Sequence, residues 1–352
     1  MGEFREKQIK TKKTFTMKKI IIKQNIGVDI AKDDFKVVFS TMGTNLEKRI
    51  LGSRTFSNNH KGCRDFLQWA NSKKDQQLDL HVTVEATGIY HESLCYFLCQ
   101  EANINIHVVL PNLSKKYGQS LGIKSKTDKI DAQILAQMGL ERELMVWQPI
   151  SKELLFLKQI TRERGALLQS KTVVNNRLHA YTHQGKPNKS SLTRLKKHLA
   201  FLDKQILQIE REIKIFVDQD ERLKTKLSYL TSIPGVGFIT AVTIVAETGG
   251  FECFTNIKQL TSYAGLDIKI RESGAWKGKS KISKRGNSHI RKCLYMPALT
   301  AAKYATTLQS SYERISSKHG SKMVGVVAVQ RKLLGLMFSL WKNEQMYMHT
   351  AK

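Results

Sequence analysis

A long heptad repeat is the sequence feature that most restricts how this chain can fold. Large apolar residues recur with alternating spacings of four and three over 195–216, and the same phase resumes at Leu223, Leu227 and Leu230 after a break at Asp220. Side chains at this spacing form one stripe along a helix, and such a stripe is buried only against another helix. We therefore predict a coiled coil, whose first seam comprises Leu195, Leu199, Leu202, Ile206, Ile209, Ile213 and Phe216.

This stripe needs a helical partner, and the sequence offers two. The chain is helical in pattern from about residue 151, and Gly185 and Pro187 predict a turn between two antiparallel helices at 183–191. The stripe can close within one chain as a hairpin or between two copies as a dimer. The sequence does not choose between these arrangements.

The chain before the heptads alternates strands and helices. Three consecutive strands are followed by strands separated by helices, which predicts a mixed α/β sheet. Thr127 is placed to cap the last of these helices, which runs to Met138. The predicted strands cover 26–30, 35–41, 49–56, 81–85 and 104–110, and the earlier helices cover 61–72 and 90–101.

We expect an α/β plus all-α chain with four segments. A basic flexible leader covers residues 1–23, the mixed sheet 24–149, the helical coiled coil 150–230, and a mostly helical domain 231–352. The 58 Lys and Arg against 30 Asp and Glu give a net charge of +28, which favours a polyanionic partner such as nucleic acid. Solubility or an anionic membrane surface are weaker explanations of this charge.

Other classes of protein are disfavoured. We find no apolar run long enough for a transmembrane helix and no secretory signal, so no membrane partner is expected. The five cysteines are scattered, which argues against a disulfide framework and a structural zinc site. These features predict a reducing, cytoplasmic location.

Four carboxylates stand out in the α/β segment. Asp29 lies in an apolar strand, Glu85 ends another, and Asp128 and Asp131 share one face of a helix. Acids in such positions are unfavourable unless they are paired, and two Mg²⁺ ions are natural partners. Each acid alone is more often a cap or a solvated residue. Their order along the chain resembles that of ribonuclease H-like nucleases, above all resolvases of the RuvC kind.

Two further patterns lie in the C-terminal segment. Ile233–Gly237 resembles a helix-hairpin-helix turn, in which Gly235 and Gly237 let backbone N–H groups approach phosphates, although an ordinary interhelical turn would also fit. Between Lys269 and Lys292 nine residues are Lys or Arg and only Glu272 is acidic, which predicts a phosphate-binding surface. Its candidate contacts are Arg271, Lys277, Lys279, Lys281, Lys284 and Arg285. Serines among these cations are candidate nucleophiles, or they only bond phosphate and cap turns.

In combination these motifs resemble the IS-one-ten family of insertion-sequence transposases, DEDD recombinases that include a pilin-gene invertase. The resemblance extends over most of the chain, from about Ile26 to Ala302, in the family's order. Its motifs are Gly27–Lys32, Val84–Gly88, Lys126–Ala132, Ile233–Gly237, Tyr263–Leu266, Ser273–Gly274 and Ile282–Asn287.

The resemblance implies a RuvC-like catalytic domain in which the four carboxylates bind Mg²⁺, and a C-terminal domain with a nucleophilic serine. That serine maps to Ser273, with Ser280 and Ser283 as rivals; Glu272 stands where the family often has a second serine. The implied partners are element-end and target DNA, a non-coding bridge RNA, and further copies of the chain in a dimer or tetramer. The site would pair one protomer's acids with another's serine, in a bacterial or archaeal cytoplasm near the nucleoid.

Two other functions keep the same residues. A junction resolvase or nuclease would use the four acids with water as nucleophile. Its C-terminal domain would only bind DNA, and this binding would explain the cations there. A non-catalytic nucleic-acid-binding module would use the acids as caps and surface residues. A covalent protein–DNA adduct separates the recombinase from the nuclease, and cleavage in Mg²⁺ separates both from the binding module.

Overall fold

The chain forms two compact units, unit 1 (Met1–Pro149) and unit 2 (Ile150–Lys352). The computed structural model describes residues 20–348 apart from residues 102, 124, 126, 271, 275 and 279. Most of the expected leader therefore lies outside the described residues. Its last residues do not, because residues 21–23 are part of the first strand.

Unit 1 combines strands and helices in the order that the sequence predicts, with one additional helix. Its elements are β1 (Ile21–Ile30), β2 (Asp34–Gly43), β3 (Lys48–Ser57), α1 (His60–Asn71), β4 (Leu80–Glu85), α2 (Glu92–Leu98), β5 (Ile104–Val109), α3 (Pro111–Ser120) and α4 (Asp128–Glu141).

A single mixed sheet forms the centre of unit 1. Its strand order is β3-β2-β1-β4-β5. β1 is antiparallel to β2 and parallel to β4, and β5 is parallel to β4. Three antiparallel strands followed by two parallel crossovers form the ribonuclease H-like topology, so the fold expected from the sequence is confirmed.

The two faces of β1 have different neighbours because side chains alternate along a strand. Ile26, Val28 and Ile30 are buried in the main apolar core of unit 1, together with Phe35, Phe66 and Leu94 among others. The intervening residues, Asn25, Gly27 and Asp29, lie on the opposite face, which α4 covers. The candidate catalytic acid of β1 therefore faces α4.

Two predicted elements of unit 1 differ from the structure. We expected Pro111 to end a strand, but it is also the first residue of α3, a position that suits the fixed backbone angle of proline. The helix predicted from Tyr90 begins only at Glu92, because Gly88 adopts a left-handed φ of 58° and a turn follows it.

Unit 2 is largely helical and contains four very short strands. Its elements are α5 (Lys152–Thr182), α6 (Lys189–Asp218), α7 (Glu221–Thr231), α8 (Phe238–Thr248), α9 (Ile257–Tyr263), β6 (Ile268–Lys269), β7 (Glu272–Ser273), β8 (Trp276–Lys277), β9 (Lys281–Ile282), α10 (Ser288–Cys293), α11 (Tyr295–Tyr304), α12 (Thr306–His319) and α13 (Lys322–Asn343).

The heptad stripe closes within one chain. α5 and α6 pack side by side, and the ion pairs Arg164–Glu210 and Lys171–Asp203 fix their antiparallel register. The seam residues from Leu202 to Ile213 are buried, whereas Leu195, Leu199 and Phe216 are half-buried. Asp220 interrupts the stripe, because its carboxylate accepts a hydrogen bond from the Leu223 amide and caps the N-terminus of α7.

The remaining helices form the core of unit 2. α13 packs against α7, α9, α11 and α12, and its Phe338 and Trp341 rings contact Phe251. By length and composition α13 could cross a membrane, and it was not identified as such a helix from the sequence. Because Val329, Leu333 and other apolar residues of α13 are fully buried in this core, we interpret α13 as a core helix.

Candidate active site

Asp29 and Glu85 lie at the same end of neighbouring strands. β1 and β4 are parallel and in register from Gln24–Leu80 to Val28–Val84, so the next residue on each strand is one of the two acids. Both acids are half-buried, and by strand alternation both lie on the α4 face. The sheet therefore places two carboxylates side by side at one edge.

Helix α4 directs its own acids to this edge. Ala132 and Ala136 lie over Gly27, and Gly139 lies against Asn25, so α4 runs antiparallel to β1. The first residue of α4 is Asp128, and its N-terminus lies towards the Asp29 end of the strand. Asp128 is exposed and Asp131 is half-buried. The positive end of the helix dipole also favours negative charge at this position.

The close approach of α4 to β1 depends on small residues. A Cβ atom on Gly27 would overlap the Ala132 carbonyl oxygen and the Ala136 amide nitrogen. The Asn25 amide donates hydrogen bonds to the carbonyls of Leu135 at 3.3 Å and Ala136 at 2.7 Å. This packing fixes α4 on the sheet and thereby fixes the backbone positions of its two acids.

Glu85 is oriented by two hydroxyl groups. The Ser114 hydroxyl, on α3, lies 2.5 Å from Glu85 Oε2, and the Thr87 hydroxyl lies 3.2 Å from Oε1. Ser114 is buried and 29 residues away in sequence. Sequence reasoning missed Ser114 because no motif contains it and α3 was not predicted.

The four acids share an edge but do not form a closed ligand set. Among the described residues, no three side chains of Asp, Glu, His or Cys converge closely enough to hold a metal ion. Asp29 and Asp131 each have a polar interaction in the structure. Carboxylate oxygens are nevertheless the donor type that Mg²⁺ prefers, and the strands and helix that carry the four acids all end at this edge.

Ser273 lies in unit 2 on a minimal hairpin. β7 pairs with β8 in antiparallel fashion, with Ser273 opposite Trp276, and Gly274 supplies the left-handed φ of 56° that the turn needs. Ser273 is exposed. Lys277 lies on β8, and Arg271 and Lys279 lie outside the described residues.

The rival serines have different surroundings. The Ser283 hydroxyl donates a hydrogen bond to Asp267 and accepts one from the Arg285 amide at 3.2 Å. Ser283 therefore stabilises its own turn, which is the structural role that the sequence left open for these serines. Ser280 is exposed, like Ser273.

The cations Lys281, Lys284 and Arg285 are exposed on a loop whose backbone is hydrogen-bonded to the segment after α9. The backbone amide of Lys284 donates to Gly265 at 3.0 Å, and that of Asn287 donates to Tyr263 at 2.7 Å. This basic loop (281–286) therefore holds its side chains in solvent while its backbone is attached to the unit 2 core.

An ion pair between a buried carboxylate and a partly exposed arginine adjoins the basic loop. Glu247, which is 1% exposed, accepts two hydrogen bonds from Arg162 at 2.6 and 2.9 Å and one from Asn287 at 2.6 Å. Burial alone would raise the pKa of Glu247, but the hydrogen bonds from Arg162 and Asn287 outweigh burial and lower it. The charged carboxylate of α8 therefore links Arg162 of α5 to Asn287 at the end of the loop. No motif identified this network in the sequence.

The glycine turn lies between α7 and α8, as expected for a helix-hairpin-helix pattern. Gly235 has a φ of 91°, and a Cβ there would lie 2.9 Å from the Pro297 carbonyl oxygen of α11. Gly237 is exposed, has open space around it and precedes α8, whose N-terminus has no side-chain cap. Gly235 thus serves packing, whereas Gly237 leaves backbone N–H groups accessible.

Unit 1 is a ribonuclease H-like sheet with acids at one edge, and unit 2 presents a basic surface beside a helical core. These features are typical of enzymes that act on nucleic-acid strands. Residues 26–187 match the transposase model named DEDD_Tnp_IS110, and residues 227–313 match the Transposase IS116/IS110/IS902 family. The chain belongs to this family and is a DNA transposase or recombinase.

Similar proteins have related names. A pilin gene-inverting protein of Moraxella lacunata is 28% identical over 92% of this chain and 97% of its own length. The transposase for insertion sequence element IS1111A of Coxiella burnetii is 23% identical over 92% of this chain and 90% of its own. T. thermophilus RuvC in complex with a Holliday junction is 11% identical, with a TM-score of 0.26, over 33% of this chain and 91% of that one.

Proposed function

We propose that this transposase cuts DNA with Ser273 as nucleophile at a Mg²⁺ site formed by Asp29, Glu85, Asp128 and Asp131. The observation that carries the proposal is the common edge at which β1, β4 and α4 present these acids. A basic surface and an exposed serine in unit 2 supply the remaining components.

The donor set suits a hard divalent cation. Four carboxylates on a sheet edge and a helix N-terminus could bind two Mg²⁺ ions once their side chains turn towards one another. Bound Mg²⁺ would polarise the scissile phosphate and lower the pKa of the attacking hydroxyl. Within the protein, Ser114 and Thr87 orient the Glu85 carboxylate through their hydroxyls, and the Gly27 contact keeps Asp131 close to β1.

The proposed reaction conserves the phosphodiester. The Ser273 oxygen bonds to phosphorus as its proton leaves to solvent, and the bond from phosphorus to the 3′ oxygen breaks as that oxygen takes up a proton from solvent. The products are a phosphoserine link to the 5′ end and a free 3′-OH. After strand exchange, the 3′-OH of the partner strand attacks the same phosphorus and releases Ser273. Because one ester replaces another, no nucleotide cofactor is needed.

The basic surface is proposed to hold the DNA backbone. Lys281, Lys284 and Arg285 are exposed on the basic loop, and the open N-terminus of α8 at Gly237 can bind a phosphate oxygen. Sequence alone supports the same role for Arg271, Lys277 and Lys279. The packing of Gly235 against α11 supports a positioning role for that residue rather than a phosphate contact.

The assembly is proposed from the family resemblance. A bridge RNA would pair with element-end and target DNA, and a dimer or tetramer would join the acids of one protomer to Ser273 of another. The large positive charge suits both nucleic acids. We also propose the four-segment domain division that the sequence pattern predicts, and a cytoplasmic, nucleoid-associated location.

A trapping assay tests the nucleophile. The protein is incubated with element-end DNA, target DNA and candidate RNA in Mg²⁺, denatured, and examined for covalent protein–DNA adducts on a gel. We expect an adduct that Ser273→Ala abolishes, because the alanine has no oxygen to attack phosphorus.

Matched serine variants provide the controls. Ser280→Ala changes another exposed serine nearby and should retain the adduct, and Ser283→Ala should retain it with a less stable turn. Cleavage without an adduct, unchanged in Ser273→Ala, would instead establish a nuclease that uses water. If only Ser280→Ala or only Ser283→Ala abolished the adduct, that serine would be the nucleophile.

A further inference from the structure

The α5–α6 hairpin has two halves of different charge. Its base, residues 152–171 and 203–218, contains eight Lys or Arg and six Asp or Glu. Its remaining part, residues 172–202, contains six Lys or Arg and no acidic residue. We call residues 172–202 the hairpin tip. Ordinary solvation of a helix pair needs no such segregation of charge.

The six cations of the hairpin tip are all exposed. At the base, Arg164 and Lys171 are paired with Glu210 and Asp203. Within the described residues, by contrast, the structure shows no ion pair for any cation of the tip. These six residues are Arg177, Lys186, Lys189, Arg194, Lys196 and Lys197.

The hairpin tip is an extended arm that has little core of its own. Val174 and Leu202 are its buried apolar residues, and the leucines nearer the turn are only half-buried. At 1.5 Å per residue, the part of α6 from Lys189 to Leu202 is about 20 Å long, which is about the width of a nucleic-acid duplex. An arm of this length can follow several consecutive phosphates.

We propose that the hairpin tip is a separate DNA-binding arm that contacts the phosphate backbone of duplex DNA. Its cations would release counterions from the duplex without reading the base sequence. A second copy of the chain is a poorer occupant, because two tips in contact would bring two unpaired sets of six positive charges together. The proposal rests on DNA as the substrate of the enzyme, and it is independent of which group attacks phosphorus.

The test compares two triple variants of the same hairpin. In the tip variant, Arg194→Gln, Lys196→Gln and Lys197→Gln remove three cations. In the control, Lys152→Gln, Lys204→Gln and Arg211→Gln remove three exposed cations from the base of the hairpin. Affinity for a duplex of about 30 base pairs is measured by fluorescence anisotropy at several salt concentrations in EDTA, where no cleavage interferes.

We expect only the tip variant to bind DNA more weakly. Its plot of log affinity against log salt concentration should be less steep, by about two to three in the magnitude of the slope. Equal slopes in both variants, or no change in either, would overturn the proposal. Loss of binding to a structured RNA without loss for duplex DNA would assign the arm to RNA. A changed molar mass of the tip variant in light scattering would assign it to self-association.

Because the assay detects binding without cleavage, its result is independent of the serine mechanism. Both variants should keep the helicity and melting temperature of the unmodified protein, since every substituted side chain is exposed. A variant that binds poorly and also melts early would be replaced by Lys186→Gln with Lys189→Gln, which lie at the turn and the first residue of α6.

Discussion

The acidic edge of unit 1 and the serine hairpin of unit 2 are built in opposite ways. The acids lie at the ends of a five-stranded sheet and of a 14-residue helix that is packed directly on it. Ser273 lies on a two-residue strand whose partner strand is equally short. The backbone around the acids is therefore fixed by core packing, whereas that around Ser273 depends on a few hydrogen bonds.

This difference fits the separate tasks that we propose for the two regions. Metal ligands must be held in a fixed geometry, and rigid elements achieve this. A nucleophile that attacks, remains attached during strand exchange and is released again benefits from a mobile support. In unit 2 the fixed contact lies outside the serine hairpin: buried Glu247 accepts a hydrogen bond from Asn287 and so holds the end of the basic loop.

The largest expected effect is loss of chemistry in Asp29→Asn. The substitution removes one negative charge from the acidic edge while it preserves shape, so strand cleavage in Mg²⁺ should fall by at least about a thousandfold. Exposed Asp33→Asn, just beyond the end of β1, should cleave normally. Normal cleavage by the Asp29 variant would remove this residue from the proposed site.

Gly27→Ala tests whether close packing fixes the acidic edge. The new Cβ would overlap α4 backbone atoms, which cannot move like a flexible side chain, so the free energy of unfolding should fall by about 3 kcal/mol. Hydrogen exchange should increase across α4 and the cleavage rate should fall.

The matched change is Gly52→Ala on β3. There the nearest atom to a new Cβ is 3.4 Å away, at the end of the Lys73 side chain. This variant should change the unfolding free energy by less than about 1 kcal/mol. If Gly27→Ala and Gly52→Ala lowered the free energy of unfolding equally, the close packing of α4 on β1 would not be what fixes the acids.

Glu247→Gln tests the anchor of unit 2. The variant replaces one buried carboxylate oxygen with an NH2 group that cannot accept a hydrogen bond from Arg162 or Asn287, so the free energy of unfolding should fall by about 2–3 kcal/mol. Hydrogen exchange should rise at Asn287 and the basic loop. Exposed Glu252→Gln, also in unit 2, should have little effect.

The same network predicts a pH dependence. Because folding lowers the pKa of Glu247, its contribution to stability is complete above the ordinary value of 4.5 and is lost as the pH falls through the lowered value. The difference in stability between the unmodified protein and Glu247→Gln should therefore shrink below pH 4.5. A constant difference down to strongly acidic pH would show that the charge of Glu247 contributes nothing.

The smallest expected effect is that of Ser114→Ala. Loss of the hydroxyl leaves Glu85 less well oriented, so cleavage should fall about tenfold and the Mg²⁺ concentration for half-maximal activity should rise. Ser114→Thr should restore part of the activity because it returns the hydroxyl. On the same helix the Ser120 hydroxyl donates to the backbone carbonyl of Tyr117, so Ser120→Ala serves as control. An unchanged Mg²⁺ dependence in Ser114→Ala would exclude this positioning role.

Much of the fold could be predicted from the sequence because its signals are local. Short apolar segments between turns and helices predicted each strand of the sheet, and the 4-3 spacing predicted α6 and α7. Thr127 caps α4 as expected, with its hydroxyl 3.3 Å from the Ile130 amide. Helix α3 was missed because Pro111 was interpreted only as the end of a strand.

The sequence by itself determined the element order, the basic character and the family to which the chain belongs. Periodicity, charge and motif order are properties of neighbouring residues, so they can be identified without a fold. The tertiary structure decided which distant groups meet: Gly27 with α4, Ser114 with Glu85, and Glu247 with Arg162 and Asn287. It also closed the heptad stripe within one chain. Such contacts join residues far apart in sequence, and only the packing of whole elements brings them together.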